Sequence, residues 1–249
     1  MRIGIFAWTT VAALACGSAQ AQETTDWEVQ ITPYAWMSGL SGNLGTIPGL
    51  PASSVDLSFG DVLEDLDIAG MLMASARNGP WVFYLDTTYV RTSSSEKLGG
   101  AVFDRVDIES ETTNLALAVG RTIAQTPEGS VDAYLGARAW WLENRFDLRR
   151  VGGGASSRTE KANWIDPLIG IAGRYSASDR WDFFGNAEVG GFGVGADLEW
   201  SVMAGATYSV TDTFGVSVGW RYLAVDYDKD GIVFDVSQSG PLLGATFRF

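Results

Sequence analysis

The sequence predicts an all-β fold: a closed, antiparallel, up-and-down β-barrel of about ten strands that spans a membrane around a narrow polar lumen. Three observations carry this prediction. Apolar and polar residues alternate with a period of two over most of the chain, which is typical of strands whose two faces meet different environments. The chain has 30 glycines and 10 tryptophans, a composition that suits strands curving into a closed sheet. Short connections alternate with longer, more polar ones, as they do between the two ends of a transmembrane barrel.

The beginning of the chain predicts a secretory signal peptide. Arg2 supplies a positive charge, the run from Ile3 to Ala15 is apolar or small, and Ala19-Gln20-Ala21 is a small-x-small cleavage site. The apolar run is shorter than the roughly 20 residues that a helical membrane span needs. We therefore expect a signal peptide over residues 1–21 and one outer-membrane barrel domain over residues 22–249.

The composition argues against several classes of function. The chain has no histidine, so it lacks the usual general base and the usual transition-metal ligand, and we expect no enzyme activity, cofactor or metal. The net charge of −13 argues against a nucleic-acid partner. Cys16, the single cysteine, lies within the predicted signal peptide, where lipidation at Cys16 is an alternative to cleavage after Ala21. After cleavage there, no disulfide would support the domain.

Ten segments show the strand alternation. In the clearest one, apolar Val216, Val218 and Trp220 point one way and Arg221 the other. Several runs reach the length of about ten residues that a tilted strand needs to cross the hydrocarbon layer. Eight or twelve strands remain alternatives, because the link 191–197 is short for an outer connection. The predicted strands are 27–44, 68–77, 81–89, 114–120, 135–141, 165–175, 181–189, 198–208, 213–226 and 233–249.

The alternation alone does not separate a membrane barrel from a soluble β-protein, because the apolar face meets lipid in one and a core in the other. Two features favour the barrel. The polar face is rich in small residues, as a narrow lumen requires, and aromatic residues stand at strand ends, as in interfacial girdles. Charges enclosed in such a lumen must pair, because an unpaired buried charge is costly. The predicted lumen charge network comprises Asp86, Arg138, Asp166, Arg174, Glu188, Glu199, Arg221 and Arg248.

The last strand carries a resemblance to known proteins. It ends in Phe247-Arg248-Phe249 and resembles the assembly signal of Gram-negative outer-membrane barrels. With the runs DYDKDG (226–231) and SGPLLG (239–244), the chain is similar to uncharacterised outer-membrane proteins of the small OmpA-type barrel class. The resemblance implies the barrel fold and an outer-membrane location. It also implies contact with outer-membrane lipid and lipopolysaccharide and with the barrel-assembly machinery, with Phe247 and Phe249 as the assembly signal.

One loop has the pattern of a cation site. Asp226, Asp228 and Asp230 alternate before Gly231, and carboxylates so spaced before a sharp turn can wrap a hard cation. A complete calcium loop of the helix-loop-helix type would have Glu where Ser237 stands. The alternative is an acidic hairpin loop with Asp-Gly at its turn.

The sequence predicts a non-enzymatic protein with a structural role or a narrow pore for small solutes, because a barrel of this size has an interior that side chains nearly fill. The alternative function is a surface adhesin or ligand-binding barrel acting through outer loops 45–67 and 93–110. A remoter alternative is an outer-membrane enzyme. The sequence indicates no particular oligomeric state. The longer outer loops are predicted around 45–67, 93–110, 149–160 and 226–232.

Overall fold

The computed structural model describes residues 27–45, 47 and 51–249, so the predicted signal peptide lies outside the described residues. Within them the chain forms twelve strands and one short helix. These are β1 (Trp27–Trp36), β2 (Gly39–Gly45), β3 (Ser53–Leu57), α1 (Phe59–Glu64), β4 (Leu66–Asn78), β5 (Trp81–Lys97), β6 (Phe103–Gln125), β7 (Gly129–Arg150), β8 (Ala155–Ser178), β9 (Trp181–Gly191), β10 (Leu198–Ser209), β11 (Phe214–Lys229) and β12 (Ile232–Arg248).

Ten of the strands, β1 and β4 to β12, form a closed antiparallel barrel, with β2 and β3 as two outer strands. Each barrel strand pairs with the next along the chain, and β1 closes the ring against β12 with Trp36 opposite Leu242. The predicted barrel of ten strands is confirmed. The closure continues to the last residue, where the Phe249 amide donates to the Val29 carbonyl at 2.9 Å.

The first predicted strand is interrupted in the structure. β1 ends at Trp36 and β2 begins at Gly39, yet both pair with β12. At the break the Met37 amide donates to the Pro241 carbonyl at 2.9 Å, which keeps the two strands together. Beyond it β2 takes β3 as its other neighbour, whereas β4 pairs with β1 only as far as the Pro33–Leu72 pair.

Three neighbouring strands, β6, β7 and β8, have 22 to 24 residues, whereas the other barrel strands have 10 to 17. β8 has 24 residues whereas β9 has 11. At roughly 3.3 Å per residue the longer strand extends about 80 Å. Tilted by about 45°, it still covers roughly twice the ~25 Å apolar band of a barrel. The outer ends of β5, β6, β7 and β8 extend beyond the membrane. We call them, residues 91–111 and 143–161, the outer wall.

The outer wall corrects the prediction of loops at 93–110 and 149–160, because most of both segments is strand. Only 98–102 and 151–154 lie between the strands. The strands stay paired beyond the membrane, and their two faces still carry different residues. Arg91 and Glu109 form an ion pair on the outward face, while Ile108 and Phe146 are neighbours on the inward face. The predicted loop at 45–67 likewise contains β3 and α1, and that at 226–232 is mostly strand.

The outward face of the barrel is a lipid-facing surface. Leu135 is 63% exposed and Ile165 59% exposed, and a water-facing surface would not carry a continuous belt of such side chains. Aromatic residues mark the end of the barrel that holds the short turns and the Val29–Phe249 contact, which is the periplasmic end. They include Trp27, Trp81, Tyr175 and Trp181. Among the described residues, no helix is long and apolar enough to cross a membrane.

Candidate functional site

The outer half of the lumen is filled by aromatic and aliphatic side chains. Trp164 stacks on Tyr227 with ring centroids 4.0 Å apart, and Trp140 stacks on Trp164 at 5.7 Å. Trp140 is only 1% exposed, so the lumen has no space for water around it. We call this cluster the aromatic seal. It consists of Trp36, Trp140, Trp164, Leu223, Tyr227, Phe234 and Leu242.

A layer of charges lies directly beneath the aromatic seal. Arg138 donates to Glu188 at 2.6 Å and also pairs with Glu199. Arg221 pairs with Asp86 at 2.7 Å. These five residues are the charge layer. Both guanidinium groups are almost fully buried, and taking such charges out of water is repaid only when their partners are well placed.

Neighbouring hydroxyl and indole groups complete the charge layer. The Tyr34 hydroxyl donates to Asp86 Oδ1 at 2.8 Å and accepts from Arg221 at 3.0 Å. Trp140 Nε1 donates to Glu199 Oε2 at 2.8 Å, which ties the aromatic seal to the layer. Because the donors come from strands on different sides of the lumen, they fix the carboxylates in place across the barrel.

The inner half of the lumen is a cavity of about 730 Å³ that we call the periplasm-facing cavity. Its closed end is the charge layer, and its mouth is formed by the turns around Thr126 and Asp212. Halfway along, Arg77 pairs with Asp132 at 2.5 Å, and the Tyr84 hydroxyl donates to the same carboxylate at 2.7 Å. A volume of this size lies within the usual range of small-molecule sites.

The eight residues of the predicted lumen network do not all meet. Asp86, Arg138, Glu188, Glu199 and Arg221 form the charge layer. Asp166 lies above it, fully buried, and accepts from Trp164 Nε1 at 2.7 Å and from the Ala196 amide at 2.6 Å. Arg174 and Arg248 lie at the periplasmic rim, where they pair with Glu28 at 3.1 Å and Asp182 at 2.8 Å.

Sequence reasoning missed the Arg77–Asp132 pair and the role of the lumenal aromatics. The alternation contained the signal for Asp132, because Asp132, Tyr134 and Gly136 share the face of Arg138 at steps of two. Trp140 continues the same face. That Trp140 lies beside Glu199 could not be predicted, because the pattern of a single strand does not show which strands face each other across the lumen.

Asp226 and Asp228 of the predicted cation loop lie on the outward face of β11. Asp226 is directly opposite Asp235 on the neighbouring strand, and burial together with that carboxylate raises the pKa of Asp226. Asp228 is exposed, and Asp230 lies in the turn with a φ of 57°. Within 27–45, 47 and 51–249, no group of three or more acidic or cysteine side chains is arranged to hold a metal ion.

The two phenylalanines of the predicted assembly signal lie at the periplasmic end. Phe247 faces outward, with its ring centroid 5.4 Å from that of Phe214. Phe249 is 75% exposed. Both are therefore accessible to lipid or to a partner at the barrel closure.

Comparison with known proteins gives the fold. No protein-family model matches the chain, and no curated protein matches it. The crystal structure of the outer membrane protease OmpT from Escherichia coli matches with a TM-score of 0.54 at 11% identity, covering 92% of this chain and 99% of that one. A major outer membrane protein from Thermus thermophilus matches with a TM-score of 0.43 at 13% identity, covering 90% and 100%. Neisserial surface protein A matches with a TM-score of 0.35 at 16% identity, covering 90% and 97%.

The closed ten-stranded barrel, its lipid-facing belt and the OmpT-like fold together define the class of protein. The chain is an integral β-barrel protein of the outer-membrane type, and its location is the outer membrane.

Proposed function

We propose that the protein is a non-enzymatic barrel with a closed lumen that acts at the cell surface through its outer wall. The observation that carries this proposal is the contrast between the lumen and the outer wall. The aromatic seal leaves the outer half of the lumen without space, whereas four strands continue far beyond the membrane. The sequence predicted a structural role or a narrow pore for small solutes, and a pore would require the aromatic seal to move.

The outer wall has the properties of a binding surface. Its outward face carries cross-strand ion pairs, among them Arg149–Asp107 at 2.6 Å and Lys161–Glu143 at 2.7 Å. Exposed pairs of this kind add little stability each, about 0–1 kcal/mol. The opposite face presents a half-exposed apolar strip, which is the kind of surface that anchors a protein partner. The strip consists of Val106, Ile108, Phe146 and Leu148.

The absence of histidine from all 249 residues supports the non-enzymatic part of the proposal. OmpT is a protease by name, but at 11% identity the likeness concerns the fold. Two sequence predictions belong to the same proposal. Cleavage after Ala21 would give a mature N-terminus at Gln22, and Phe249 would direct assembly by the barrel-assembly machinery. The resemblance to small OmpA-type barrels rests on the DYDKDG and SGPLLG runs.

The closed lumen is tested in planar lipid bilayers with the refolded barrel, using an open porin reconstituted in parallel as the control. We expect no steady conductance from the wild-type protein. Regular single-channel steps from the wild type would overturn the closed lumen and favour the pore.

The surface role is tested with a variant in which the outer-wall segments 94–108 and 146–158 are each replaced by an Asn-Gly turn, which joins the directly paired residues Ser93 to Glu109 and Arg145 to Thr159. Producing cells should lose adhesion to protein-coated surfaces, while the amount of folded, heat-modifiable barrel stays unchanged. Equal adhesion by both strains would contradict a surface role for the outer wall.

A further inference from the structure

The periplasm-facing cavity has an apolar wall and a charged closed end. Side chains of Ala118, Leu168, Ala172, Phe184 and Met203 line it. These residues expose hydrocarbon and one aromatic ring to the cavity. A purely ionic ligand would gain nothing from such walls, whereas a small molecule with a hydrocarbon skeleton would bury apolar surface against them.

The charges accessible at the closed end are carboxylates. The side chains of Asp86 and Glu188 are 19% and 9% exposed, whereas those of Arg138 and Arg221 are 1% and 3% exposed. The two guanidinium groups are therefore less accessible from the cavity than these two carboxylates. The charge layer also has three carboxylates for two arginines, so it carries a surplus negative charge when all five groups are ionised.

Acceptor capacity remains at this end of the cavity. Each oxygen of Glu188 accepts one hydrogen bond, from Arg138 at 2.6 Å and from the Tyr134 hydroxyl at 3.1 Å, and a carboxylate oxygen can accept a second. This remaining acceptor capacity belongs to an accessible carboxylate, which favours a donor that carries a positive charge.

We propose that the periplasm-facing cavity binds a small organic cation, with its ammonium group at Asp86 and Glu188 and its hydrocarbon part along the apolar wall. The Phe184 and Tyr134 rings flank the same space and favour a cation electrostatically. The protein's net charge of −13 raises the local concentration of cations in addition. This binding site is independent of the outer wall, so its failure would leave the proposed surface function unaffected.

The test uses the full refolded barrel in detergent micelles and isothermal titration calorimetry at constant ionic strength. The probes are n-butylammonium, n-butanol and butyrate, which share one hydrocarbon chain and differ in charge. We expect n-butylammonium to bind at least tenfold more tightly than either of the others. Equal or tighter binding of butyrate would overturn the proposal, and so would complete displacement of n-butylammonium by an equal concentration of potassium.

Two variants locate the binding. Glu188→Gln removes an accessible charge and should weaken n-butylammonium binding at least tenfold, whereas Glu143→Gln, on the outer wall, should leave it unchanged. Ala172→Leu fills the cavity without altering a charge, and it should also weaken binding at least tenfold. This variant provides the test if Glu188→Gln fails to fold. Unchanged binding by folded Ala172→Leu would place the ligand elsewhere and overturn the assignment.

Discussion

The outer and inner halves of the lumen are built on the same ten strands, yet one is packed and the other is open. In the outer half the inward positions hold large rings such as Trp36, Trp140 and Trp164. In the inner half the corresponding positions hold Ala116 and Ala172, with small residues between the ion pairs. Strand number sets the diameter of a barrel, but side-chain volume decides whether its interior is filled. The lumen therefore changes from sealed to open over a few residues of each strand.

Replacing Trp140 tests this difference between the packed and the open half of the lumen most directly. Trp140→Ala removes a fully buried ring from the aromatic seal and a donor from Glu199, and we expect a loss of about 3–5 kcal/mol in the free energy of unfolding. Urea unfolding in lipid vesicles measures the loss. The control is Trp220→Ala, which removes a lipid-facing ring and leaves no cavity inside the protein. An equal loss of unfolding free energy for both variants would mean that a ring in the aromatic seal contributes no more to stability than a lipid-facing ring.

Removing Arg138 tests the charge layer that separates the two halves. Arg138→Met leaves Glu188 and Glu199 buried without their charged partner, which should cost about 3–5 kcal/mol in the same unfolding experiment. Adding Glu188→Gln and Glu199→Gln should restore much of this stability, because the uncompensated charges disappear. A triple variant as unstable as Arg138→Met would show that packing, and not charge, causes the loss.

The ion pair in the open half should matter less. Arg77→Met leaves Asp132 with the Tyr84 and Thr122 hydroxyls as donors, and the cavity admits water, so we expect a loss of about 1.5–3 kcal/mol. Arg174→Ala at the rim breaks an exposed pair with Glu28 and should cost about 0–1 kcal/mol. Denaturant midpoints at equal slope give both values. A rim loss equal to that at Arg77 would contradict the gradient of burial along the lumen.

Sequence reasoning was strongest where one strand contains the whole signal. Val218 and Arg221 lie three residues apart and so on opposite faces, and the structure places Val218 outward and Arg221 inward. All ten barrel strands could be located in this way. The interruption at Met37–Ser38 could not, because it depends on β2 finding β3 as a neighbour, a pairing that no local pattern encodes.

The sealed lumen was beyond sequence reasoning for a related reason. Trp140 lies within a predicted strand and Trp164 just before one, but their contact depends on how the strands pair around the barrel. The outer wall was missed because polar segments such as 93–110 suit a loop by composition. Only the pairing of charges across strands, as between Asp107 and Arg149, distinguishes a water-exposed ladder from a loop.

That ladder should respond to acid before the barrel does. Hydrogen bonds from Ser95 and then Arg149 lower the pKa of Asp107 below its ordinary 3.8, and bonds from Ser157 and then Arg145 do the same for Asp147. A folded-state pKa below the unfolded value stabilises the wall fully at neutral pH, and this contribution is lost as the pH falls below about 3.8. Both carboxylates are in contact with solvent, at 27% and 28% side-chain exposure, so the effect is small and local. Hydrogen-exchange protection factors should fall in residues 95–107 and 147–157 on acidification, while those of the barrel amides stay unchanged.

The double variant Asp107→Asn and Asp147→Asn should show weaker wall protection that no longer changes with pH. If its wall protection still fell in parallel with the wild type, other groups would control the acid response.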